Sequence, residues 1–354
     1  MSTYFRRFYS SFTSHVVDIP PRLLAFLLFL LLLTFPVTKP KFTHLLLLAL
    51  ANTGAIFAAS WDLLVGRCGQ MSMGHALFFG MGAYSTGMLS IYLHWPIWVT
   101  IPLSMVVSVL LALAVGFPCL RVKGPYLALV TMSFPLITTG VIFYFKDITM
   151  GERGLSGLDR FFPFLPYEQQ YLAQYYFTLL LLLASGIILY KIANSHTGIV
   201  FISILDDDVA SKASGINITK YKLMAFAISA GFASMAGAVN AHMINSANIG
   251  MLSLTTSFLP IIITFWGGIG TIYGPIAAAY ILQILDRYVL TDVVPLETHW
   301  HMMIYIVLII VLIIKWPRGL ARYTTDELED LEEARDIDER GPRIWKKYKK
   351  KEKK

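Results

Sequence analysis

Two short stretches of this chain carry polar and glycine residues where the surrounding sequence is apolar. The first is Gly69-Gln70-Met71-Ser72-Met73-Gly74-His75-Ala76, followed by Gly80-Met81-Gly82-Ala83-Tyr84. Gln70, Ser72 and His75 offer hydrogen bonds to a polar solute or to freed backbone groups. Glycine, here including Gly74, lets the chain turn or lets neighbouring helices approach closely. Backbone that leaves the helix at membrane depth must be buried in protein or line a water-filled cavity. The second stretch, Trp266-Gly267-Gly268-Ile269-Gly270-Thr271-Ile272-Tyr273-Gly274-Pro275, is another apolar run broken by Gly and Pro. Interrupted segments in both halves of a chain point to a midplane solute path in transporters. The pair Gln70, Ser72, Gly74, His75 and Gly267, Gly268, Gly270 is therefore read as a path or gate. The two share character, not residue identity.

A third stretch, Leu205-Asp206-Asp207-Asp208-Val209-Ala210-Ser211-Lys212-Ala213-Ser214-Gly215, has the signals of a short helix. Asp206 suits the N-cap. Asp207 and Asp208 place negative charge in the first turn, where the helix dipole favours it. Val209, Ala210 and Ala213 share a face, and Gly215 suits the position after the last turn. Such a helix is marginal alone in water, so it calls for a partner surface.

Other chemistry is thin. No run fits the phosphate-binding pattern G-x-x-x-x-G-K-[ST], so no nucleotide motor is expected in the chain. Cys68 and Cys119 are far apart and follow no metal-ligand spacing. His299 and His301 are two apart and do not share a helix face, so neither a metal site nor a cofactor is expected, and no catalytic residue. Asp62 is an acidic residue well inside an apolar run, and its expected partners are Arg67 or backbone groups, since an intramembrane carboxylate is costly alone.

The elements that must position these residues follow from composition. Of 354 residues, 56% are hydrophobic and 14% charged, against about 25% charged in ordinary globular domains. That excludes a water-soluble surface and implies an all-α polytopic transmembrane bundle. About ten apolar segments can be read, near 23–38, 43–65, 74–93, 97–118, 124–145, 172–192, 222–244, 252–267, 270–288 and 300–316. The first lacks an A-x-A-like cleavage site and reads as an uncleaved anchor. With both termini in the cytoplasm, 23 of the 29 Lys and Arg fall inside, as the positive-inside rule requires. Residues 1–22 then form a cytoplasmic N-terminal segment and 23–320 the membrane domain. Residues 146–171 form an external loop, 193–221 a cytoplasmic coupling loop, and 321–354 a charged cytoplasmic tail. The net charge of +7 fits attraction to membrane lipid better than nucleic-acid binding.

The Gly69–Ala76 string with Gly80–Tyr84 resembles the G-Q-x-S-x-G-H-A…G-x-G-A-Y signature of the branched-chain amino-acid ABC transporter permeases. Arg121-Val122-Lys123-Gly124-Pro125-Tyr126-Leu127-Ala128 resembles their R-x-x-G-x-Y-x-A stretch. Thr149–Leu155 is similar to T-G-G-x-x-G-L, with Met150 in place of a Gly. Asp208–Gly215 resembles the coupling segment of an ABC permease, and Gly267–Pro275 the family's G-G-x-G-x-x-x-G-P. Pro317-Arg318-Gly319-Leu320 resembles the end of the last span. The resemblance is closest to the longer of the two permease types. It implies a prokaryotic inner-membrane protein that works with a second permease subunit, two cytoplasmic ATP-binding subunits and an external solute-binding protein. It implies translocation of branched-chain amino acids or a similar small solute, with Asp206 to Asp208, Val209, Ala210, Ala213 and Gly215 facing an ATPase. Permeases of the same family for urea remain an alternative at this stage, as does a stand-alone secondary transporter, for which few intramembrane ionisable residues are available.

Overall fold

The computed structural model describes residues 42–284, apart from 121 and 123, together with residue 307. Its helices are apolar on nearly every side, as expected where both neighbours and lipid are apolar. Helix α1 (Phe42–Asp62) continues into a π-helical turn, Leu63–Arg67. It is followed by α2 (Ala76–Leu93), α3 (Ile97–Cys119), α4 (Pro125–Tyr144) and α5 (Tyr167–Ala193). Then come α6 (His196–Asp206), α7 (Asp208–Ala213), α8 (Ile218–Ile244), α9 (Leu254–Gly267) and α10 (Tyr273–Ile284). Proline marks two helix starts, as its fixed φ favours, and lies inside helices at Pro102, Pro118, Pro135 and Pro260. Pro125 opens α4 after Gly124, and Pro96 precedes α3.

Six of these helices are long and apolar enough to cross a membrane: α1 with its π turn, α2, α3, α4, α5 and α8. They match six of the ten expected segments. The expected span 252–267 is shorter than read. A 3₁₀ turn, Ile249–Leu252, precedes the 14-residue α9, which covers only ~21 Å at 1.5 Å per residue. The expected span 270–288 is described as far as Ile284, where α10 runs 12 residues. The expected spans 23–38 and 300–316, the segments 1–22 and 321–354, the Pro317–Leu320 motif, Arg121 and Lys123 lie outside the described residues. Residues 193–221 hold the expected short helix, α7, and a second one before it, α6.

The centre of the bundle is α8, packed on α1, α2 and α3. Its inner face carries Ala230, Ala233, Ser234, Gly237, Ala238 and Ala241, all buried. Small residues allow close approach between apolar helices, where dispersion rather than water exclusion drives packing. A Cβ on Gly82 would lie 2.1 Å from the Ser234 carbonyl oxygen, and one on Gly237 1.9 Å from that of Phe79. By contrast α3, α4 and α5 expose Val106, Leu110, Leu129, Ile137, Leu180 and Ile187, an apolar outside suited to lipid or to another apolar helix.

The two ends of the bundle differ. At one, β1 (Leu155–Ser156) pairs antiparallel with β2 (Ser246–Ala247). There Asp159 fastens the preceding loop: Oδ2 accepts from Ser90 Oγ at 2.9 Å, and its carbonyl accepts from His242 Nδ1 at 2.8 Å. At the other end lie Cys68–Gln70, the α3–α4 turn, α6, α7 and Lys222.

Candidate functional site

The first interrupted segment begins where α1 ends. Gly69 has φ +68°, a conformation that glycine adopts without the penalty of a Cβ. The chain then runs back into the bundle without helical bonds until α2 starts at Ala76. Its backbone groups are met by side chains from three helices. Trp61 Nε1 donates to the Ser72 carbonyl at 2.7 Å, Thr131 Oγ1 accepts from Met73 N at 3.1 Å, and Ser257 Oγ accepts from Ala76 N at 3.2 Å. Gln70 is buried and turned onto its own turn, with Nε2 donating to the Cys68 carbonyl at 3.0 Å. Gly74 faces α4, where a Cβ would lie 1.8 Å from the Thr131 carbonyl oxygen.

His75 is fully buried. Its ring stacks on Phe57, centroids 5.3 Å apart. Nε2 lies 3.2 Å from Ser60 Oγ and 3.3 Å from Ser229 Oγ. Each hydroxyl already spends its proton on a carbonyl, Ser60 on Phe57 at 2.7 Å and Ser229 on Ser60 at 2.6 Å. Nε2 is therefore the donor, and Nδ1 is left a buried acceptor with no hydrogen-bond partner among the described residues. His75 thus ties α1, α2 and α8 together.

The second segment is organised by one carboxylate. Asp62, fully buried at the end of α1, accepts from Gly270 N at 2.6 Å and from Ile272 N at 2.8 Å. Backbone groups, one of its two expected partner types, are among its partners. Gly268 and Gly270 have φ +102° and +82°, and Ile272 has φ +62°. For a β-branched residue that is a true outlier, of the kind that persists only where the surroundings over-determine it. Asp62 supplies that restraint. Gly267 packs on Gly274, where a Cβ would be 2.2 Å from the carbonyl carbon. The π turn that leads into the first segment meets the second: a Cβ on Gly66 would lie 2.5 Å from Gly270 N.

The structure thus brings Gly270 to the start of the first segment, while His75 lies deeper, against Ser60 and Ser229. The sequence reading overlooked Ser60, Trp61, Thr131, Ser229 and Ser257. Small polar residues inside apolar spans were the available signal, since these hydrogen-bond across helices.

The short helix α7 needs one correction. Asp206 is the last residue of α6, not the cap. Asp207 is the N-cap, its Oδ1 accepting from Val209 N at 2.7 Å and Ala210 N at 3.1 Å. The chain breaks helix at Asp207, with φ −155°, because a run of three aspartates offers three cap positions and α6 reaches through the first. The helix is six residues long. Ser211 faces inward, whereas Val209, Ala210 and Ala213 are exposed. Gly215 has φ +86°. Asp208 Oδ2 pairs with Lys222 Nζ at 2.7 Å, fixing α7 to the foot of α8. Among the described residues no three His, Cys, Asp or Glu side chains form a set that could hold a metal ion.

Six long apolar helices around a buried core, with non-helical segments held inside it, define a multi-pass helical membrane protein. The family described as branched-chain amino acid transport system / permease component matches residues 44–313, and the chain belongs to that family. It is 27% identical over 297 residues to the high-affinity branched-chain amino acid transport system permease protein LivM of Salmonella typhimurium. That match covers 77% of this chain and 69% of the relative. The LivM of Escherichia coli is 26% identical with the same coverage. No solved structure matches the chain.

Proposed function

We propose that the chain is the membrane-spanning subunit of an ABC importer for branched-chain amino acids, with ATP hydrolysed on separate subunits. Family membership and the two LivM relatives support the solute class. The observation that carries the coupling part is α7. It is a capped, outward-facing helix with small apolar side chains, latched by an ion pair to a helix that runs through the bundle core. A helix of six residues has little stability alone, so its capping and its latch make sense as preparation for a docking partner.

On this reading α7 and the Lys222 end face the cytoplasm and two ATP-binding subunits. Residues 146–171 at the Asp159 end face outward toward a solute-binding protein, and a second permease covers part of the exposed apolar flank. The two interrupted segments are the gate, because they are the non-helical backbone held inside the bundle. Motion of α7 reaches them along two routes: Lys222 into α8 and its Ser229, and Leu205, whose Cδ1 would lie 2.8 Å from a Cβ on Gly69.

The test is co-purification of ATPase subunits together with leucine-stimulated ATP hydrolysis in vesicles. Ala213→Arg puts bulk and charge on the exposed face. Gly215→Val forces a β-branched residue to φ +86°, which it tolerates poorly. Both variants insert normally but lose ATPase retention or the link between hydrolysis and uptake. Wild-type values for both discard the docking role of α7.

A further inference from the structure

His242 sits near the end of α8, where the loop after β1 returns to the bundle. It is fully buried, as are Thr86 of α2 and Thr100 of α3. Hydrogen bonds run in series through these three side chains. His242 Nδ1 lies 2.8 Å from the Asp159 carbonyl oxygen, and Nε2 lies 2.9 Å from Thr86 Oγ1. Thr86 Oγ1 is 2.9 Å from Thr100 Oγ1, which is 3.2 Å from the Ile97 carbonyl oxygen. Both ends of the series are carbonyls, which only accept. Nδ1 therefore carries a hydrogen whatever the charge of the ring. In the neutral ring Nε2 accepts from Thr86, and Thr86 accepts from Thr100. A second proton, on Nε2, reverses the order: Nε2 donates to Thr86, Thr86 to Thr100, and Thr100 to Ile97. Only hydroxyl hydrogens rotate. No contact of the ring is lost in either state. His75 is arranged the other way. Its Nε2 already donates, and its Nδ1 has no partner among the described residues to receive a second N–H, so charging that ring would bury an unpaired donor.

We infer that His242 is a proton-operated clamp on the loop that carries Asp159. Proton uptake makes the bond to the Asp159 carbonyl charge-assisted, roughly twice as strong as a neutral one. Among the described residues, the charge that acts on the ring is the carboxylate of the same Asp159, which Ser90 of α2 holds at 2.9 Å. From the other packed elements come Thr86, Thr100 and the ring of Phe161, whose centroid is 5.7 Å away. Both the carbonyl and the carboxylate of Asp159 are thus drawn to a charged ring. The loop is already seated on this end of the bundle, since β1 pairs with β2 and Gly157 N donates to the Asn245 carbonyl at 3.1 Å. Acidification fastens it further to α8 and α2. The clamp stands on this geometry, and only its facing outward rests on the proposed topology.

The test is hydrogen exchange at residues 154–161 of the full-length chain in lipid nanodiscs. It is read by mass spectrometry at pH 8 and pH 5, the range over which histidine charge changes, and corrected for the intrinsic pH dependence of exchange. Protection rises at least about threefold on acidification. His242→Gln, neutral at both values, abolishes the rise. Thr86→Val removes the hydroxyl that must accept from Nε2 and abolishes it too, whereas Thr86→Ser keeps that hydroxyl and keeps the rise. The threonine pair decides the matter if His242→Gln does not fold. Equal protection at both values in the wild type, or an undiminished rise in His242→Gln or Thr86→Val, overturns the assignment. So does loosening on acidification, which marks protonation of the Asp159 carboxylate and release of Ser90 instead. These readings need no transport, so they stand or fall apart from the importer assignment.

Discussion

The two interrupted segments solve the same problem in opposite ways. Both bring backbone N–H and C=O groups into the bundle, where water cannot meet them, and unpaired groups there are expensive. In the first, residues 68–75, the work is shared among Trp61, Thr131 and Ser257 on three helices, with His75 bonded to Ser60 and Ser229. In the second, residues 268–272, one carboxylate takes two N–H groups and holds a strained isoleucine beside them. Distributed neutral bonds are individually modest and fail one at a time. A single charged acceptor is stronger and fails all at once.

The widest separation between the two regions comes from Asp62→Asn. The amide accepts one N–H but presents its own NH₂ to the other, donor against donor. About 3 kcal/mol of stability is lost, read as a lower unfolding temperature in detergent, with leucine uptake abolished. An unchanged midpoint shows that the second segment does not depend on the carboxylate.

Gly74→Val tests close packing in the first segment. Its Cβ would meet the Thr131 backbone, which cannot rotate away, and the added bulk costs ~1–3 kcal/mol with impaired uptake. Gly140 on the exposed side of α4 has nothing within 4 Å of an added Cβ, so Gly140→Ala is the control. It is stabilising by ~0.5–1 kcal/mol through helix propensity. Equal behaviour of the two variants by thermal unfolding denies the contact.

Ser229→Ala removes one of the two hydroxyls at His75 and leaves the other. Sharing predicts a loss of only about 1 kcal/mol by the same measurement, well below that of Asp62→Asn. A loss as large as that of Asp62→Asn merges the two designs into one.

The smallest effect is chemical. Burial pushes the Cys68 thiol up to about 12, partly offset by nearby Lys222. Because the thiolate is the reactive form, maleimide labelling of Cys68 in a Cys119→Ser background stays slow at pH 7.5 and keeps rising through pH 10. A plateau near pH 9 shows an ordinary thiol and a more open first segment.

Much of this arrangement was legible beforehand. The six long helices follow from runs of apolar residues, and Gly215 from the rule that glycine suits the position after a helix's last turn. The third stretch was read correctly as a short helix but with its cap one residue early. The three aspartates are locally equivalent, and only the reach of α6 through Asp206 makes Asp207 the cap. Asp62 was recognised as needing a partner, yet Gly270 and Ile272 lie 208 and 210 residues away, beyond any periodicity argument. Ser60 and Ser229, 169 residues apart, became a pair only through the crossing of α1 and α8.

By itself the sequence determined what each segment is: an apolar helix, a glycine-broken turn, a capped short helix, a charge that cannot stand alone. These are local properties, set by side-chain type and spacing through helix geometry and the cost of unpaired backbone in an apolar medium. The tertiary structure alone decided which groups satisfy one another. Hydrogen bonds and ion pairs act only over contact distances, and the packing of small residues along α8 determines which distant parts of the chain come that close.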